Sequence, residues 1–130
     1  MERNTRQRSA IREAISRAER PLLPHEVLDA AQHEAPGLGI ATVYRNLKVL
    51  VEEGELTVVS LPGENQRYEP VGHRHHHHFQ CRHCQRVFDV HACPGDFARL
   101  APPGFTVDDH ELVLYGRCSD CAALPASPAP

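Results

Sequence analysis

No apolar run in this 130-residue chain approaches the length of a membrane span, and the polar opening Met1-Glu2-Arg3-Asn4 has no signal-peptide core. These absences predict a soluble, cytoplasmic protein. An excess of basic residues is also missing. The formal charge of -3 excludes a generally basic coat, so any nucleic-acid contact must come from a local patch. Catalytic metal motifs are incomplete. His25-Glu26 and His110-Glu111 begin like His-Glu-x-x-His but lack the later histidine, and neither Cys-x-x-Cys follows a proline as in zinc deaminases. A non-enzyme is expected. Spare length is lacking too, since one domain or two small ones of this size are short of core and benefit from a staple.

The material for a staple is present. Cys81-Arg82-His83-Cys84 and Cys118-Ser119-Asp120-Cys121 are two Cys-x-x-Cys knuckles, and together they offer four thiolates for a closed tetrahedral zinc site with no open position. A disulfide pair or idle thiols are the alternatives, and a reducing compartment favours ligands. The first knuckle is entered through His75-His76-His77-His78. In a strand, His76 and His78 face one way and His75 and His77 the other, so one segment can feed two metal sites. A solvated tract or a tag is the competing reading, but a tag belongs at a terminus.

Ahead of the histidines, helical apolar spacing predicts helices from Thr5 to about Arg17, Pro24 to about His33 and Ala41 to about Glu53, with Asn4 or Thr5 capping the first and Gly54 ending the third. Leu56–Ser60 and Gln66–Glu69 read as a hairpin around Pro62-Gly63-Glu64-Asn65. Three helices and a hairpin make a winged helix-turn-helix over residues 1–69. Arg3, Arg6 and Arg8 could reach phosphates; Thr42, Tyr44, Arg45, Asn46 and Lys48 lie where a recognition helix meets the major groove, although an ordinary polar face fits as well. In the wing, Arg67 is the obvious phosphate contact. Residues 70–74 read as a hinge. Residues 75–121 then form a small α+β domain with strands to Gln80, over Arg86–Val90 and Glu111–Tyr115, and a short helix from about Gly95 to Leu100. Thin cover over those strands favours a second copy. The alanine- and proline-rich stretch 122–130 reads as a disordered tail.

Taken in order, Gly39-Ile40-Ala41-Thr42-Val43-Tyr44-Arg45-Asn46-Leu47, His75–His78, Cys81-x-x-Cys84 and Leu114-Tyr115-Gly116-Arg117-Cys118-x-x-Cys121 resemble the ferric-uptake-regulator family of bacterial metal-dependent repressors. The likeness runs nearly to Cys121. It implies a winged helix joined to a dimerisation domain, acting as a homodimer on a palindromic operator near metal-homeostasis genes. Tyr44 and Arg45 match the family's DNA-contacting pair, and the four knuckle cysteines match its structural zinc site. Glu69, His76 and His78 match its regulatory site; His75, His77, Asp96 and His110 match a further site in the dimerisation domain. This chain also departs from the pattern. Pro21 or Leu22 stands where relatives supply a regulatory histidine, with His25 and His33 nearby but out of register; His77 stands where many carry Asp. Asp89 falls on a carboxylate used by peroxide-sensing relatives. Cys93 is an extra thiol, either a buried spare or a ligand. An all-histidine run suits Zn2+ as the sensed metal; Fe2+ or Mn2+ is the alternative, then peroxide sensing through iron. A zinc-ribbon or metal-storage module would explain the cysteines but not the winged helix.

Overall fold

The computed structural model describes residues 2–72, 76–93 and 95–123. His75 and most of the expected tail lie outside these, as does the side chain of Arg3. The chain divides into two compact units, Met1–His73 and Arg74–Pro130. Pro70, the first residue of the expected linker, is also the last residue of a strand.

The first unit holds helices α1 (Glu2–Ala18), α2 (Pro24–Ala31) and α3 (Ile40–Glu52), then strands β1 (Leu56–Val59) and β2 (Arg67–Pro70). Helix α1 begins ahead of Thr5 because Asn4 and Thr5 are absorbed into the helix rather than capping it. It ends without the usual glycine: Glu19 takes a left-handed φ of 55°, and Pro21 follows. Helix α2 starts on Pro24, whose missing N–H would have no helical partner anyway. The Leu23 N–H is taken by Glu26 Oε1 at 2.9 Å. Gly54, at φ 78°, turns the chain out of α3 as its position predicts.

Apolar positions three and four apart close the core of this unit. Ile11 and Ile15 from α1, Val27 and Ala31 from α2, and Val43, Leu47 and Leu50 from α3 are all buried together. Strands β1 and β2 pair antiparallel, with Val58 opposite Tyr68, and Leu22 makes an isolated bridge to Tyr68. This is the expected three helices and hairpin. One detail of the wing is corrected. Arg67 is 1% exposed and paired with Glu64 at 3.1 Å, so it is a buried structural cation and not a free phosphate contact.

The second unit centres on β3 (His77–Cys81), antiparallel to β4 (Val87–Val90) on one side and parallel to β5 (Val113–Gly116) on the other. A parallel neighbour needs a long crossover, and residues 91–112 supply it. The expected short helix there is a single 3-10 turn, Phe97–Leu100. A last helix, α4 (Ser119–Ala122), follows Cys118 and was not anticipated from the sequence pattern. The buried cluster of this unit consists of Cys81, Cys118 and Cys121, with Phe79, Cys84 and Phe88 packed against it. Gly116 lets the chain pass close to Phe79, whose ring a Cβ there would meet at 3.2 Å. Val87 is also buried in this unit, but a cluster built largely of thiols gains modestly from apolar burial, and an ion bound by them would add cohesion.

Candidate metal centres and candidate nucleic-acid interface

Cys81 ends β3, Cys84 lies in the turn to β4, and Cys118 and Cys121 flank the start of α4. All four Sγ atoms lie within 4.8 Å of one another, and none is in a disulfide. The first knuckle has the backbone such a site needs: Gln85 is left-handed at φ 67°, and the Cys84 N–H points at Cys81 Sγ at 3.4 Å. Zinc–sulfur bonds of about 2.3 Å in a tetrahedron require S···S edges of about 3.8 Å. The Cys84–Cys118 separation is 3.8 Å. The donor set and its spacing therefore fit a zinc ion.

The electrostatics favour thiolates at one end of this cluster. Burial pushes the Cys81 thiol up, but N–H donors from Cys84, Cys118 and His83 outweigh it and hold the group at about 5. Burial also raises Cys84, and Arg86 more than offsets that, leaving it below its ordinary value. Cys121 is pushed up to about 12 by burial together with contacts to the other three sulfurs. Arg86 donates to Cys84 Sγ at 3.1 Å, to Cys118 Sγ at 3.5 Å and to Asp120 at 3.1 Å. Its guanidinium is held more firmly protonated by those partners, Cys84 foremost.

Two further groups sit on opposite faces of β3, as the alternation of side chains requires. On one face, His76 and His78 approach Asp89 of β4, with Nε2···Oδ1 distances of 3.3 and 3.4 Å. Their rings meet edge-on at 4.9 Å, and His91 lies 6.0 Å from His76. Zinc bonds to nitrogen and oxygen of about 2.0–2.1 Å give tetrahedral edges of about 3.4 Å, so these three side chains also fit an ion. On the other face His77, Cys93 and His110 converge within 4.8 Å. Cys93 is exposed, which corrects the reading of it as a buried spare. Asp96, expected with His77 and His110, is not among the converging side chains; its carboxylate instead caps the 3-10 turn through the Ala98 N–H at 2.8 Å. Aspartate before a turn prefers that local bond, which a resemblance in sequence position does not reveal.

On α3, Tyr44 is 55% exposed, and Arg45 and Lys48 also face solvent. Thr42 accepts from Arg45 through Oγ1 at 2.9 Å. Asn46, read from sequence as a base-reading candidate, is buried and locked. Its Oδ1 accepts from Arg8 Nε at 2.8 Å, and its amide donates to the Thr42 carbonyl at 2.9 Å. Arg8 is thereby half-buried and tied to α3, whereas Arg6 remains exposed.

Comparison with known proteins now bears on this geometry. The model of the ferric uptake regulator family matches residues 2–115. This chain belongs to that family. The peroxide operon regulator of Bacillus subtilis is 32% identical over 124 residues, covering 92% of this chain and 84% of that protein. Among solved structures, a zinc-bound manganese uptake regulator superposes with a TM-score of 0.75 at 26% identity, covering 86% of this chain and 87% of that one. An iron-containing ferric uptake regulator from Francisella tularensis gives 0.68 at 26% identity, covering 89% and 91%.

The ferric uptake regulator family thus accounts for the winged helix and the α+β second unit together. The family match stops short of Cys118, so the closing half of the four-cysteine cluster is known from the geometry, not from the match. Sequence reasoning noted Asp89 without placing it among the ligands; its cue was the alternation of β4, which puts it opposite His78.

Proposed function

We propose that this chain is a metal-responsive repressor of metal-homeostasis genes, binding a palindromic operator as a homodimer in the cytoplasm and sensing Zn2+. The observation that supports it best is the set of His76, His78 and Asp89 at tetrahedral spacing, where β4 pairs with the start of β3, the strand that ends in the cysteine cluster. In this reading Glu69 joins those three as a regulatory ligand, and Cys81, Cys84, Cys118 and Cys121 hold a structural Zn2+. Arg6, Arg8, Thr42, Tyr44, Arg45 and Lys48 contact DNA, with the exposed members meeting phosphates and base edges. Residues 1–69 act as the DNA-binding domain, 70–74 as the hinge and 75–121 as the dimerisation domain. Exposed Leu114 and Tyr115 on β5, together with Phe105, provide apolar surface for a second copy. No residue is assigned a catalytic role.

The switch follows from linkage. An ion bound by ligands of both domains supplies free energy only to the arrangement in which those ligands meet, and so biases the spacing of the dimer's recognition helices. Without it the chain samples other arrangements and grips DNA weakly.

A second reading has its own support. Asp89 adds a carboxylate beside His76 and His78, and oxygen donors suit Fe2+ or Mn2+, including peroxide sensing through iron. Operator binding titrated with buffered zinc, ferrous iron and manganese, each at cellular free concentration, separates the two. Zinc should restore binding at the lowest free concentration. Restoration by iron or manganese alone would overturn the zinc assignment.

A further inference from the structure

We propose that His77, Cys93 and His110 form a sulfur-containing metal site, to which the described residues contribute two imidazoles and one thiolate, selective for zinc and softer ions over Fe2+ and Mn2+. It lies on the opposite face of β3 from His76 and His78. The resemblance implies nitrogen and carboxylate ligands here, from His75, His77, Asp96 and His110. The geometry substitutes a thiol for the carboxylate.

Three chain segments converge to make it. His77 opens β3, Cys93 follows β4, and His110 precedes β5. Cys93 Sγ lies 3.5 Å from His77 Nε2 and 3.4 Å from His110 Nε2. A tetrahedral zinc with bonds of about 2.3 Å to sulfur and about 2.05 Å to nitrogen requires an S···N edge of about 3.6 Å. Both observed separations are within about 0.2 Å of that edge, and both nitrogens are of the same type. The rings are already positioned: His77 and His110 have centroids 5.0 Å apart, and Phe97 of the 3-10 turn packs on His110 at 4.5 Å. Asp96 engages its Oδ1 at the start of that turn and is not among the converging side chains. A set with one thiolate and two imidazoles suits zinc and Cu(I), while manganese and ferrous iron favour carboxylates.

One contact gives the site an internal reporter. His77 Nδ1 accepts from the Leu112 N–H at 3.1 Å. In the neutral ring this leaves the proton on Nε2, facing the sulfur. Metal binding displaces that proton, the ring then holds its proton on Nδ1, and the Leu112 N–H must give up the contact. Loading of this site is therefore visible at one backbone amide.

The test uses the full chain with zinc already in the four-cysteine cluster, titrated with Co2+ as a spectroscopic stand-in. The group around His76 and His78 has no sulfur, so a new sulfur-to-cobalt charge-transfer band with retained zinc reports Cys93 alone. We expect that band in the natural chain, its loss in Cys93→Ser and its persistence in Asp96→Asn. Zinc affinity at the site, by chelator competition, should fall on the order of 100-fold in Cys93→Ser, at or beyond the range seen when supporting partners of metal ligands are removed. His110→Ala should behave likewise, and the Leu112 amide resonance should shift on loading. Cys93 is exposed, so its substitution should leave folding intact, with far-UV circular dichroism as the check. An unchanged band in Cys93→Ser, a band lost in Asp96→Asn, or an unmoved Leu112 amide would each overturn the assignment. Because every readout is metal binding, failure here leaves the repressor reading untouched, and failure of operator binding leaves this site untouched.

Discussion

Replacing Arg86 should loosen the four-cysteine zinc site without touching a ligand. Four thiolates around one zinc ion leave a net charge of -2, and Arg86 is a side-chain cation in contact with them, through Cys84 at 3.1 Å and Cys118 at 3.5 Å. A hydrogen bond to a charged group contributes about 1.5–3 kcal/mol when well buried. The Arg86 side chain is 31% exposed and the second contact is long, so the pair together should be worth about 2 kcal/mol. That is about a 30-fold loss of zinc affinity in Arg86→Ala, within the range typical of partners that support metal ligands. Arg86→Lys keeps the charge but not the fork, and should lose about 5-fold. Asp120→Asn, whose carboxylate is 76% exposed, should change affinity less than about twofold. Competition between the protein and a chromophoric chelator at fixed pH and salt measures all three. If Arg86→Ala binds zinc within twofold of the natural chain, the charge-balance reasoning is wrong.

Asn46→Ala should destabilise the first unit by about 1–2 kcal/mol, because it takes the acceptor from the half-buried Arg8 Nε, while leaving operator base preference unchanged; thermal unfolding and binding to operator variants report the two effects separately. Arg45→Ala should weaken operator binding about 10-fold and flatten its salt dependence if the side chain meets phosphate, and an unchanged affinity would remove it from the interface. Cys81 is depressed to about 5, so its stabilising charge is fully present above the ordinary thiol range, diminishes as pH falls, and is gone near pH 5. Zinc binding should accordingly weaken as pH falls below the ordinary thiol range, with Cys81→Ser releasing zinc at higher pH than the natural chain; release at the same pH in both would contradict this.

Much of this architecture was legible in the sequence because its signals are periodic. The stripe Val43, Leu47 and Leu50 announces α3, and alternation along β3 separates His77 from His76 and His78 before any coordinates are known. What stayed hidden depends on partners distant in sequence. Asn46 looks like a base reader until Arg8, 38 residues away, is found bonded to it. Arg67 looks like a free wing cation until its burial is seen. Cys93 meets His77 and His110 only because the crossover to β5 returns past β4, a consequence of parallel pairing that local pattern does not encode. Asp96 shows the opposite case: a local bond, its cap of the 3-10 turn, is what the resemblance in sequence position does not reveal.

The central claim is that a metal held by His76 and His78 raises affinity for DNA. Its most direct test is operator binding at fixed salt, with zinc kept in the four-cysteine cluster, before and after the other metal is removed and again in His76→Ala/His78→Ala. The account predicts tight binding only for the fully loaded natural chain, with at least a tenfold loss in both other cases. Equal affinity in all three would contradict it.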